Sequence, residues 1–84
     1  MAKFIFTYGA GSETQPYQGG WTEIEAADLN DAIKAFLIFH PSTNGFVPCA
    51  FMYSEAEFAA TKMATEGCWG VFCREKITLT REVL

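Results

Sequence analysis

Gly20-Trp21-Thr22-Glu23-Ile24-Glu25-Ala26, then Asp28-Leu29-Asn30-Asp31-Ala32-Ile33-Lys34-Ala35-Phe36-Leu37-Ile38-Phe39-His40-Pro41, is the stretch that decides the fold, because its apolar period changes once. Up to Ala26 the residues alternate, with Thr22, Ile24 and Ala26 on one side and Trp21, Glu23 and Glu25 on the other, as in a half-buried strand. The carboxylate side should meet water, and Trp21 is then expected on an exposed face beside two acids, an unusual position for an indole unless something covers it. From Leu29 the period becomes helical. Leu29, Ile33, Phe36, Leu37 and His40 form one stripe, flanked by Ala32 and Phe39. Asp28 is placed to cap this helix, Asp31 sits in its first turn, and Pro41 ends it. The opposite side holds Asp31, Ala35 and Ile38, so the last turn is apolar nearly all round. Ile38 and Phe39 are therefore expected to contact a partner or a second copy.

Outward from this stretch, residues 3 to 8 are aromatic and β-branched and predict a first strand, joined to the second by a Gly-, Ser- and Pro-rich loop. Beyond the helix, Pro41-Ser42-Thr43-Asn44-Gly45 marks a turn. Phe46 to Tyr53 predicts a buried strand, which Pro48 moves to an edge or delays to Cys49. Ser54 with Glu57 matches a capping box, so a short helix from Glu55 to about Met63 follows. A last strand is expected from about Gly70 to Leu79, with no clear inner face, and Arg81 to Leu84 as a tail. The expected architecture is α+β in the order β-β-α-β-α-β. It forms one compact domain over residues 1–84, a mainly antiparallel four-stranded sheet with its helices packed on one face.

The 84 residues are 50% hydrophobic and 15% aromatic, which excludes disorder and makes aromatic packing a large part of so small a core. Six Lys+Arg against ten Asp+Glu give a net charge of −4, with no two basic residues adjacent. General binding to a phosphate backbone is thereby disfavoured. No apolar run approaches the roughly 18 residues that would span a bilayer, and Thr7-Tyr8-Gly9 ends the first apolar stretch too early for a signal-peptide core. Three cysteines cannot all pair within one chain, so reduced thiols in a cytoplasmic setting are expected.

Cys49, Cys68, Cys73 and His40 supply the arithmetic of a zinc site but none of its paired short spacings, and no metal or cofactor is expected. Thiol catalysis would need a thiol against His40 and a water-excluding cleft, for which so short a chain leaves little room. His40 at a helix C-terminus is accounted for by the dipole, Glu23 and Glu25 by a solvated face, and Gly19-Gly20 by a turn. The chain is therefore expected not to be an enzyme. Tyr17, Trp21, Tyr53 and Trp69 lie at strand ends or in loops, with Gly19, Gly20, Gly67 and Gly70 nearby. They either seal the ends of the core or present a binding surface, with Trp21 the foremost candidate for the latter.

Tyr17-Gln18-Gly19-Gly20-Trp21-Thr22-Glu23-Ile24-Glu25-Ala26, the Asp31-Ala32-Ile33 helix opening with its His40-Pro41 end, and Tyr53-Ser54-Glu55-Ala56-Glu57-Phe58 together resemble small proteins encoded in phages, prophages and mobile elements of gut Firmicutes. The resemblance runs over about residues 3 to 78 and implies a setting, since accessory proteins of that origin are often inhibitors of bacterial immunity. In that setting the chain would dock on a defence effector such as a CRISPR nuclease complex. Trp21 with Glu23 and Glu25, or Ile38 with Phe39, would form the contact, and carboxylates would meet the effector's Arg and Lys. One alternative is a homo-oligomeric sponge stacking a nucleotide signal on Trp or Tyr, with Arg74 or Lys76 receiving phosphates. A phage structural or regulatory module is a further alternative.

Overall fold

The computed structural model describes residues 1–13, 15, 17–42 and 45–79; the expected tail, Arg81 to Leu84, and Thr43 and Asn44 of the expected turn lie outside the described residues. The elements are β1 (Ala2–Thr7), β2 (Trp21–Ala26), α1 (Leu29–Phe39), β3 (Phe51–Ser54), α2 (Glu55–Ala59), α3 (Met63–Glu66) and β4 (Cys73–Thr78). They build a four-stranded sheet in the order β3-β1-β2-β4. β1 runs antiparallel to both β2 and β3, and β4 runs parallel to β2. The α+β class and the mainly antiparallel sheet follow the sequence pattern.

α1 starts where the sequence places it: the Asp28 carboxylate accepts the Asp31 N–H at 2.8 Å. It covers one face, where Ala32, Ala35 and Phe36 bury against Phe6, Tyr8, Ile24 and Ala26, and the Phe36 ring stacks on Phe6 at 4.7 Å. The buried stripe is rotated from the expected one. Ala35 goes inward, Leu29 is exposed, and Ile33 and Leu37 are half-buried, because two alanines let the helix approach the sheet while Phe36 fills the space between. Ile38 and Phe39 remain outside.

The helices do not share one face. Phe58 of α2 packs with Ile5, Trp21 and Cys68 on the opposite side of the sheet, so the domain has three layers. Alternation along β1 explains it: Phe6 and Tyr8 point to α1, and Ile5 between them points to α2. The expected capping box starts α2, with Ser54 Oγ accepting the Glu57 N–H at 3.2 Å and Glu57 Oε1 accepting the Ser54 N–H at 3.0 Å. The single helix expected to about Met63 is two short ones, because Thr61 folds its hydroxyl back onto the Phe58 carbonyl at 2.7 Å and α3 starts anew.

β3 is the edge strand that Pro48 suggests, but it begins only at Phe51, later than Cys49, and its residues are exposed or half-buried. In β4 the pairing steps from Trp21↔Cys73 to Thr22↔Glu75, leaving Arg74 as an extra residue. That bulge resolves the strand's ambiguous pattern, since Cys73 lies with Trp21 while Ile77 packs with the α1 cluster.

Candidate functional site

Trp21 is buried, at 5% exposure, which overturns the expected exposed indole. Its ring meets Phe58 edge-on at 4.7 Å and Phe72 at 5.8 Å, and its Nε1–H donates to Glu23 Oε2 at 3.0 Å. The acidic neighbours that suggest solvent in the sequence are thus partly the indole's own hydrogen-bond partner. Burial disfavours the charged form of Glu23. The indole N–H, the Cys73 thiol and Lys3 and Lys76 outweigh this and hold the carboxyl below its ordinary range. Lys3 also reaches Glu55, and these two acids raise its own pKa. Of the other expected contacts, Glu25 is exposed, Tyr17 and Tyr53 are half-buried, and Tyr53 leans on Phe58 at 6.0 Å. A surface centred on Trp21 does not exist in this fold.

At the end of the sheet where β1 finishes, a polar chain enters the core beneath the C-terminus of α1. The Tyr8 hydroxyl and Thr22 Oγ1 are 2.6 Å apart, Thr22 donates to Glu75 Oε1 at 2.8 Å, and the same oxygen pairs with His40 Nε2. Because Thr22 has one hydroxyl proton and gives it to Glu75, Tyr8 is the donor in the first bond. Burial above all drives the Tyr8 pKa upward. The His40 ring is enclosed by Phe36, Tyr8 and Tyr17, and the Arg74 guanidinium lies 4.8 Å above the Tyr17 ring while donating to the Gly19 and Gln18 carbonyls. The bulge in β4 thus turns Arg74 into a clamp on the loop leading to β2. Sequence spacing offered no sign of this network, whose directly bonded members lie up to 53 residues apart.

Gly19 and Gly20 are more than turn formers. Both have positive φ, and a Cβ at Gly19 would lie 2.6 Å from the Cys68 carbonyl and 2.8 Å from the Trp69 Cβ. They form a floor on which the segment Cys68-Trp69-Gly70-Val71 rests. Cys68 and Val71 exchange both backbone hydrogen bonds, at 2.9 and 3.1 Å, while Trp69 and Gly70 have φ of 55° and 74°. Positive φ at both central residues marks a tight hairpin turn that favours Asn-Gly. Trp69 is the one non-glycine with positive φ among the described residues, and it is 64% exposed. Holding such a residue there costs about 1–2 kcal/mol. Phe72, beside it, is half exposed. On α1, across the sheet from the Trp21 and Cys68 cluster, Ile38 and Phe39 are 74% and 60% exposed.

The thiols are poor nucleophiles. Burial pushes Cys49 up to about 11, and burial first also raises Cys68 and Cys73, the latter with help from Glu23. Among the described residues, no three His, Cys, Asp or Glu side chains gather as a metal site, and no helix is long and apolar enough to cross a membrane. A cavity of about 530 Å³ lies at the opposite end of the sheet, lined by Lys3, Phe4, Glu25, Ser54 and Glu55 among others. Compared with protein-family models, curated proteins and solved structures, the chain matches none.

Proposed function

We propose that the chain is a non-enzymatic docking domain whose principal contact is Trp69. The observation that carries this reading is an exposed indole held at a backbone conformation that disfavours it, on a turn whose stability would be better served by asparagine. Trp is the side chain that most often anchors a protein interface. The net charge of −4 suits a partner that presents Arg and Lys, as nucleic-acid-processing proteins do. Together with the resemblance to phage and mobile-element proteins, this favours a bacterial defence effector, such as a CRISPR nuclease, met in the host cytoplasm. The nucleotide-sponge alternative is weakened because Arg74 is committed to two carbonyls and the Tyr17 ring.

The test is affinity capture from the bacterial host, analysed for both proteins and nucleotides, with wild type beside Trp69→Asn. Docking predicts a captured basic protein that the folded Trp69→Asn variant loses. Equal capture by both, or capture of a nucleotide alone, overturns the reading.

A further inference from the structure

The two rims of the sheet differ in chemistry. β4 carries Arg74, Glu75 and Lys76 in a row, the charged guard that keeps a free edge from pairing. β3 reads Phe51-Met52-Tyr53-Ser54, with no charge, and its Phe51 and Met52 are 66% and 39% exposed.

Two hydrogen bonds establish which backbone groups of β3 face outward. Tyr8 N–H donates to the Gly20 carbonyl at 3.0 Å, continuing the β1–β2 register, so the even-numbered residues of β1 bond toward β2. Because bonding alternates along a strand, Thr7 and Ile5 turn their groups to their β3 partners, Phe51 and Tyr53. Ser54 agrees, for its N–H goes to Glu57 and not to β1. Met52 therefore directs its N–H and C=O away from the sheet. On either side no outward donor is left: Ser54 N–H goes to Glu57, and Ala50 N–H turns inward to the Thr7 carbonyl at 2.7 Å.

We infer that β3 pairs antiparallel with β3 of a second copy of this chain about a two-fold axis through Met52, joining two sheets into one of eight strands. Each Met52 gives its N–H to the other's carbonyl and accepts in return. The same register sets Phe51 opposite Tyr53 of the second copy on one face, Met52 opposite Met52 on the other, and Ser54 opposite Ala50. The pair is isologous, and it sets aromatic against aromatic on one face and Met against Met on the other, contacts that stabilise a strand pair. Although each copy carries a charge of −4, the register opposes no carboxylate to another: Glu55 falls opposite Cys49. The surface is separate from the Trp69 turn, so this inference stands apart from the docking reading.

Sedimentation from micromolar to millimolar concentration tests it, with a doubling of mass expected for wild type. Met52→Pro removes only an outward N–H, a place where an edge strand tolerates proline, and is expected to abolish the doubling with the circular dichroism spectrum retained. Met52→Cys provides a check that does not depend on proline folding. Central paired residues of such a ladder have Cα atoms about 5.5 Å apart, within disulfide reach, so mild oxidation should link two copies through residue 52, seen by peptide mass spectrometry. A wild type that stays monomeric throughout overturns the inference. So does a folded Met52→Pro variant that still dimerises, or a Met52→Cys variant that does not cross-link through residue 52.

Discussion

The two tryptophans sit in opposite circumstances. Trp21 lies in a regular strand between residues that suggest solvent, yet a helix more than 30 residues away covers it. Trp69 lies in a turn between two residues suited to burial or tight packing, Cys68 and Gly70, and projects outward. The difference teaches that local neighbours do not set an indole's burial; the element that arrives later in the chain does. One tryptophan stabilises the domain, and the other is held at a cost to it.

The widest gap between the two regions should appear on truncation. Trp21→Ala is expected to lower stability by about 3–5 kcal/mol in chemical denaturation, because it empties the space between Phe58 and Phe72. A loss under about 1 kcal/mol would place Trp21 among surface residues and erase the contrast. Next in size is the polar chain at the same end of the sheet. Glu75→Ala leaves Thr22 and His40 without their shared acceptor and is expected to cost about 1–3 kcal/mol, read in the same way. Trp69→Asn reverses the sign: a gain of about 1 kcal/mol in stability, together with loss of partner capture. If that variant is less stable than wild type, the turn is not strained by its indole.

The smallest effect concerns pH. Cys49 keeps its proton in the fold up to about 11, above the ordinary 9.0 of a thiol, so the folded state binds more protons than the unfolded chain between those values. Stability from this group is complete below about pH 9 and is lost as pH rises toward 11. Cys49→Ala should flatten that alkaline decline in thermal melts recorded across the interval. Glu23 has the opposite sign, since its lowered pKa adds stability above the ordinary carboxylate range that disappears on acidification.

Much of the fold is legible wherever the signal is local. The alternation of Thr22, Ile24 and Ala26, the Asp28 cap and the Ser54–Glu57 box all appear as read, because each depends on neighbours within four residues. What was not legible depends on distant pairing. Glu23 looks solvated until Lys3 and the Trp21 indole N–H are brought to it, and the network of Tyr8, Thr22, His40 and Glu75 has no spacing of its own. Of the expected contact residues, Trp69, Ile38, Phe39 and Glu25 do reach solvent. The sequence marks Trp69 only through the glycine that follows it, and that glycine does not reveal the positive φ of the indole itself.

The extra residue at Arg74 has a consequence for how this short chain tolerates change. It acts as a phase shift: upstream, the strand serves the interior under α2, and downstream it serves the interior under α1. Substituting Arg74 would loosen a clamp, but deleting it would rephase everything after it, turning Glu75 and Ile77 from one interior to the other. At that point the fold depends on chain length first and on side-chain identity second.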